Sequence, residues 1–373
     1  MAALVAVVAA VAVHVAAAQE RGARVDVSKL GPKVGQQVPD FSLSDQNGKA
    51  WTLRSLMGSR GLMLVFYRSA DWCPYCKTQL LELQSQRATL EKQGLGLAAI
   101  SYDPREILSA FSRQHGITFP LLSDPDSATI TRYGILNTVA EAALGPNASD
   151  PGVVAQARVL VSVNGVTERM RGIPFPGTFV LDRQGRVKSR FFEDSYTIRN
   201  TVSNIMVKTG GGAPVAGTSL STAHLDVKTY ATDGAVAPGN RFAVTLEMTP
   251  KPGVHVYAPG AGSYRVVGLT LTPQPFVRAL PVKYPASEIW FFKPLNERVP
   301  VYQKTFTLVQ EFVLDGQAPA RAALRDQKVL TIAGTLGYQA CDDHLCYNPV
   351  SVPLTWTMAL RPIVTQATAA PAR

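Results

Sequence analysis

The run Leu62-Met63-Leu64-Val65-Phe66-Tyr67 has no polar alternation, and Cys73-Pro74-Tyr75-Cys76 follows shortly after it. An apolar run of this length reads as a strand buried on both faces, which calls for a parallel sheet with helices on both sides. Beyond it, Cys76, Leu80, Leu83, Arg87 and Leu90 recur at helical spacing, with Gly94 as the stop. Pro74 falls near the first helical position, where its missing N–H costs nothing. Cys73 is therefore expected at a helix N-terminus, where backbone N–H groups and the macrodipole favour the thiolate. A thiolate attacks disulfides, and Cys76 is spaced to resolve the mixed disulfide that forms. The other reading of such a pair is half a zinc site, but no second CxxC or His pair follows at zinc-finger spacing.

The flanking sequence keeps an α/β rhythm. Phe41 and Leu43 alternate with serines, and Leu97–Ile100 reads as the next strand. Asp103-Pro104-Arg105-Glu106 has the capping-box spacing, with a helix expected to about His115-Gly116. Ile117–Leu122 reads as extended, and Asp124-Pro125 as opening another helix. Residues 137–172 break the rhythm around Pro146–Gly152, and they predict an insertion, partly helical or extended, next to the active-site side. Thr178–Asp182, the turn Arg183-Gln184-Gly185 and Val187–Phe191 predict a hairpin. Ile198, Val202 and Ile205 predict a helix closing the domain.

A chain of 373 residues suggests two domains. Gly210-Gly211-Gly212-Ala213-Pro214 opens a flexible linker over 209–221. After it the class changes. Phe242-Val244-Leu246-Met248, Leu330-Ile332-Gly334-Leu336-Tyr338 and Val352-Leu354-Trp356-Met358 alternate with period two, which predicts an antiparallel β-sandwich. Cys341 and Cys346 sit at the end of one such strand. Four residues between thiols fit a disulfide across a tight hairpin if the Cα atoms lie within about 6 Å. So small a loop is a poor staple and a good exchange site. His344 lies between the thiols. It reads either as a group that lowers a thiol pKa or as an exposed loop residue, and a Cys341–His344–Cys346 metal site lacks a fourth ligand nearby. Tyr338 and Tyr347 read as shields of the disulfide or as strand-end packing. Residues 361–373 read as a disordered tail.

All four cysteines fall in these two close pairs. Residues 2–18 are almost wholly Ala and Val, and Ala16-Ala17-Ala18 precedes Gln19. This predicts a signal peptide over 1–18 and an exported, periplasmic protein, with an uncleaved membrane anchor as the second reading. Vicinal pairs in an exported chain fit reversible oxidation better than stapling. The formal charge is +10, but the Lys and Arg are scattered. A solvated basic surface is expected, with no nucleic-acid partner.

Val38-Pro39-Asp40-Phe41, the apolar strand, Trp72-Cys73-Pro74-Tyr75-Cys76 and Pro176-x-Thr178-Phe179-Val180-Leu181-Asp182 together resemble the redoxin (AhpC/TSA-like) branch of the thioredoxin superfamily, over roughly 32–208. The resemblance implies a thioredoxin-like fold, with Cys73 attacking and Cys76 resolving. It also implies a cis proline against the disulfide, a place matched by Pro176; an ordinary turn proline is the alternative. Peroxiredoxins carry Thr or Ser three residues before the peroxide-reactive Cys and Pro seven before it. Ala70 and Phe66 stand there instead, so the chain departs from the peroxidase motif. Arg68 reads either as a thiolate- or peroxide-stabilising group or as a solvated arginine.

Tyr338-Gln339-x-Cys341, Cys346-Tyr347-x-Pro349 and His255–Gly260 resemble the N-terminal periplasmic domain of the thiol:disulfide interchange protein DsbD, over roughly 222–360. That implies an immunoglobulin-like domain in which Cys346 forms the mixed disulfides, with Phe291 and Phe292 as candidate capping aromatics. The implied partners are oxidised or reduced periplasmic proteins and a membrane-embedded electron donor. The sequence thus predicts an exported thiol–disulfide oxidoreductase whose only cofactors are redox-active disulfides, with no metal. A thiol peroxidase re-reduced by the second domain, and a binding module with a vestigial redoxin domain, are the alternatives.

Overall fold

A computed structural model describes residues 25–211, 217–292 and 296–368. The signal segment lies outside the described residues. The chain divides into two units, one running to Ile198 and taking in the chain from Val364, the other spanning Arg199–Ile363.

In the first unit the apolar run becomes β3 (Gly61–Phe66), buried at every position. It lies in the interior of a seven-stranded sheet with β1 (Ser42–Asp45), β2 (Ala50–Thr52), β4 (Leu95–Ser101), β5 (Leu121–Ser123), β6 (Gly177–Leu181) and β7 (Val187–Phe192), between β4 and β6 in the order β2-β1-β5-β4-β3-β6-β7. β3, β4 and β5 run parallel, and β6 returns antiparallel to β3 in the hairpin with β7. This is the thioredoxin-like arrangement the sequence predicts. Leu62, Leu64, Phe66, Ile100 and Phe179 build the core beneath it. Helix α1 (Pro74–Lys92) follows β3, and α2 (Arg105–His115) ends at Gly116, whose φ of 64° is the left-handed cap that glycine adopts without penalty.

The capping box expected at Asp103 is not made, and Pro104 caps α2 with no side-chain bond. The Asp103 carboxylate turns instead toward the loop before Cys73, where buried N–H and O–H groups need an acceptor. The insertion is helical in part, with α4 (Thr138–Ala143) and α5 (Pro151–Leu160) after the short α3 (Ala128–Arg132).

The second unit begins earlier than the sequence predicts. The expected closing helix of the first domain, α6 (Val202–Lys208), belongs here, as does β8 (Arg199–Asn200), which pairs in parallel with β12 (Asn240–Pro250). The cause is a polar network invisible to periodicity. Glu311 on β18 (Phe306–Leu314) accepts from Arg241 at 2.8 Å, from Asn204 at 3.0 Å and from Lys208. The linker also ends sooner, since Thr218–Ser221 form β9.

One main sheet runs β15-β18-β12-β10-β9, with β10 (Leu225–Ala231) and β15 (Val277–Ala279). A second runs β11-β21-β19-β14, built from β11 (Ala235–Val236), β14 (Gly268–Leu271), β19 (Val329–Tyr338) and β21 (Val350–Leu360). Residues of both fill one core, and Trp356 Nε1 on β21 donates to Thr229 Oγ1 on β10 at 2.8 Å. This is the predicted β-sandwich. A third sheet, β16-β17-β13-β20, carries the cysteines: β13 (His255–Tyr257), β16 (Glu288–Phe292), β17 (Glu297–Tyr302) and β20 (Ala340–Cys341). Among the described residues, no helix is long and apolar enough to cross a membrane.

Candidate functional site

In the first unit Cys73 is the N-cap of α1 and Pro74 occupies its first turn. Cys73 is bonded to Cys76, with Cα atoms 5.2 Å apart, and its sulfur accepts the Cys76 N–H at 3.2 Å. The helix N-terminus therefore points a donor at the sulfur, as the spacing predicts.

Arg68 supplies a second donor. Its Nη2 lies 3.3 Å from Cys73 Sγ, and the guanidinium also donates to Val161 O at 2.6 Å and Tyr196 O at 3.3 Å. The side chain is fully buried and, among the described residues, makes no ion pair with a carboxylate, so of the two readings of Arg68 the solvated one falls away. Burial lowers its pKa to about 10, which leaves it charged at neutral pH.

Trp72 packs under this cation, its ring centroid 5.3 Å from the guanidinium carbon, and its Nε1 donates to Tyr102 OH at 2.9 Å. Tyr102 in turn donates to Arg169 O of the insertion. Val161, Met170 and Phe175 pack with Trp72 and Tyr102, so the insertion closes over the cysteine loop. Cys73 and Cys76 are both wholly buried.

Two features of this centre escape sequence reasoning. Asp103 accepts from Ala70 N at 2.7 Å, Ser69 Oγ at 2.8 Å and Ser101 Oγ at 2.9 Å, and so fixes the loop that presents Cys73. Burial raises its pKa to about 6 against the pull of those three donors. The second feature is the tail. Predicted to be disordered, its residues from Val364 to Thr368 are instead held by hydrogen bonds. Val364 N donates to Thr78 Oγ1 at 2.9 Å, the buried Lys77 Nζ donates to Gln366 O at 2.6 Å, and Thr368 Oγ1 donates to Ala70 O at 2.7 Å. Lys77 needs acceptors because it is buried, and Asp71 O at 2.9 Å and the tail provide them.

Pro176 departs from expectation. No peptide bond among the described residues is cis, so Pro176 takes the trans form, which an X–Pro bond prefers by about 0.5–1 kcal/mol. It stands one residue before β6, where Gly177 pairs with Phe66, at the sheet end from which Tyr67 and Arg68 lead to the cysteines.

In the second unit Cys341 and Cys346 are bonded across a tight turn with Cα atoms 4.1 Å apart. Cys341 is buried on β20, whereas Cys346 is exposed. Asp342 shapes the turn by accepting from the His344 and Leu345 N–H groups, both at 2.7 Å, and from Tyr347 OH at 2.7 Å. These hydrogen bonds lower its pKa to about 2. His344 contributes its backbone to the turn, and its ring is exposed. Tyr347 stacks near His224, with centroids 4.2 Å apart, and the buried Tyr338 shares a hydrogen bond with Thr222 at 2.7 Å.

The tyrosine on the sulfurs is Tyr257, which the sequence singles out only as part of a motif. Its OH lies 2.9 Å from Cys341 Sγ and 3.3 Å from Cys346 Sγ. Its ring stacks on Tyr264 at 4.2 Å, and Tyr264 OH donates to Glu297 at 2.7 Å. Of the aromatics on β16, Trp290 rather than Phe291 packs into the cluster around Cys341. Phe291 is exposed beside Arg298.

The AhpC/TSA family model matches residues 34–190, and the N-terminal model of thiol:disulfide interchange protein DsbD matches residues 226–353. Alkyl hydroperoxide reductase E of Mycobacterium tuberculosis is 31% identical over 157 residues, which is 42% of this chain and 82% of that protein. Peroxiredoxin Bcp of Escherichia coli is 34% identical over 103 residues, 28% of this chain and 65% of that protein. The solved structure of peroxidoxin BcpB from Mycobacterium tuberculosis superposes with a TM-score of 0.34 at 22% identity, covering 44% of this chain and 89% of that one.

Proposed function

The chain belongs to the AhpC/TSA family and carries a DsbD N-terminal domain behind that redoxin domain, a thiol-based oxidoreductase in two units; from this premise we propose that it moves electrons between its two cysteine pairs and outside thiols or disulfides. The carrying observation is that each disulfide has a side-chain donor on a buried sulfur, Arg68 on Cys73 and Tyr257 on Cys341. A structural staple has no use for a donor there. An exchanging pair does, because the sulfur must accept negative charge when the bond breaks.

In this reading Cys73 attacks and Cys76 resolves, while the exposed Cys346 meets oxidised or reduced proteins of an extracytoplasmic compartment. Carrying both pairs on one chain raises the effective concentration of one near the other. A membrane-embedded donor fits as the electron source, and the disulfides serve without further cofactor. The test is trapping. A Cys76→Ser chain should accumulate a mixed disulfide through Cys73, and mass spectrometry identifies the attached cysteine. No adduct under any redox buffer removes this reading.

A second reading has its own support. Alkyl hydroperoxide reductase E is among the relatives, and the full burial of Cys73 favours a small oxidant over a protein. Here the Cys73 thiolate attacks a peroxide oxygen, giving a sulfenic acid and an alcohol or water. The Cys76 thiol then condenses with the sulfenic acid, releasing water and forming the disulfide. Peroxide-dependent oxidation lost in Cys73→Ser supports it, and absence of peroxide turnover removes it.

A further inference from the structure

Cys341 sits beside a histidine that the exchange reaction as described leaves without a task. In the antiparallel ladder of β13 and β20, His255 lies directly opposite Cys341. Directly opposed residues share a face, with Cβ atoms about 4.5–5.5 Å apart. Tyr257, two residues on, shares that face, and its OH reaches the sulfur at 2.9 Å. The His255 ring is buried between Tyr257, at a centroid distance of 5.6 Å, and Trp290, at 5.2 Å. Its Nε2 is buried and, among the described residues, has no hydrogen-bond partner. An unpaired buried imidazole nitrogen is costly and calls for a reason.

We propose that His255 and Tyr257 are the acid–base apparatus of Cys341: His255 takes the proton of the Cys341 thiol and Tyr257 holds the thiolate while it resolves a mixed disulfide on Cys346. The inference rests on the reading of Cys341–Cys346 as an exchanging pair. When the exposed Cys346 is joined to a partner's sulfur, the Cys341 S–H passes its proton to His255 Nε2. The thiolate attacks Cys346 Sγ, the Cys341–Cys346 bond forms, and the bond to the partner breaks. The partner leaves as a thiolate and collects a proton from solvent. The pair loses two electrons, and the partner's disulfide gains them.

The surroundings suit these roles. Burial lowers the His255 pKa, while Asp342 and Asp343 of the cysteine turn act in the opposite direction, so the ring is a neutral acceptor at pH 7. Burial, with Tyr264 and Glu297 behind it, raises the Tyr257 pKa, so its phenol remains a donor. Trp290 from β16 adds no charge.

The test uses the full chain with Cys73→Ser and Cys76→Ser, reduced and mixed with dithiobis(nitrobenzoate). The first equivalent of thionitrobenzoate reports attack by Cys346, and the second reports resolution by Cys341. With His255 as base, the second phase changes less than about threefold between about pH 6.5 and 8; an unassisted thiol of pKa about 8.5 gains about tenfold per pH unit. His255→Phe should restore that rise, about 30-fold over the same window. Tyr257→Phe, which keeps the ring stack, should leave the profile flat and slow it about tenfold, one charge-assisted hydrogen bond's worth. A wild-type profile rising tenfold per unit overturns the proposal even if the His255 variant does not fold, as does a profile unmoved by either substitution. Loss of the first phase as well would bring down the underlying reading of the pair along with the proposal.

Discussion

Replacing Arg68 by Met tests the first centre at its most unusual point, a buried cation whose nearest chemical partner is a sulfur. At 3.3 Å, and with an effective dielectric constant of about 20, a guanidinium attracts a thiolate by about 5 kcal/mol before any compensation. Opposite charges at this range lower an acid's pKa by about 1–3 units in practice. Arg68→Met should raise the Cys73 pKa by that amount and, at a pH below both pKa values, cut its thiolate fraction by about 10- to 1,000-fold. The more basic thiolate is also the better nucleophile, with a Brønsted slope of about 0.5, so the net loss in alkylation rate is about 3- to 30-fold.

Above both pKa values the order must invert, and the variant reacts faster. Stability should change little. Val161 O and Tyr196 O lose their donor, at about 1–3 kcal/mol each, while removal of a buried cation without a carboxylate partner relieves a desolvation penalty of several kcal/mol. The assay uses a chain with Cys76, Cys341 and Cys346 replaced by Ser. Thiolate absorbance and iodoacetamide rate are followed across pH for wild type, Arg68→Met and Arg68→Lys. Lys keeps the charge and should recover part of the shift. A Cys73 pKa moved by less than about a third of a unit in a folded Arg68→Met chain would refute the electrostatic argument.

Asp103 should make the protein more stable on mild acidification. Its carboxyl loses a proton near pH 4 unfolded but near pH 6 folded, so stability is full below pH 4 and falls by about 3 kcal/mol as pH rises to about 6. Asp103→Asn, which can still accept from Ala70 N, should abolish that fall in urea unfolding at pH 4.5 and pH 7; an unchanged slope would count against it. Truncation after Ile363 removes the bonds from Val364, Gln366 and Thr368, so the oxidised first unit should lose about 1–3 kcal/mol of stability and its disulfide should be reduced faster by dithiothreitol. Equal reduction rates in the full and shortened chains would mean the tail gives Cys73 no cover.

The elements legible in the sequence were those specified by local pattern. β3, α1 and the alternating strands β12, β19 and β21 follow from period alone, and Cys73 at the head of α1 follows from Pro74 and the preceding strand. Three of the departures share one cause, which is that a polar side chain had a better partner far along the chain than the near one its spacing offered. Asp103 is two residues before α2 and has cap chemistry, yet its carboxylate serves Ala70, 33 positions earlier. Val202 and Ile205 carry helical spacing next to the first domain, yet Glu311 draws that helix to the second. Lys77 lies in a helix whose exposed face suits a lysine, yet burial compels it to find backbone carbonyls, and the tail is ordered in supplying one. Such contacts obey desolvation rather than periodicity: a buried donor or acceptor left unmet costs more than a surface cap gains. The same accounting points to Tyr257 and His255. Their spacing marks only a short strand, and their chemistry appears once β20 brings Cys341 alongside.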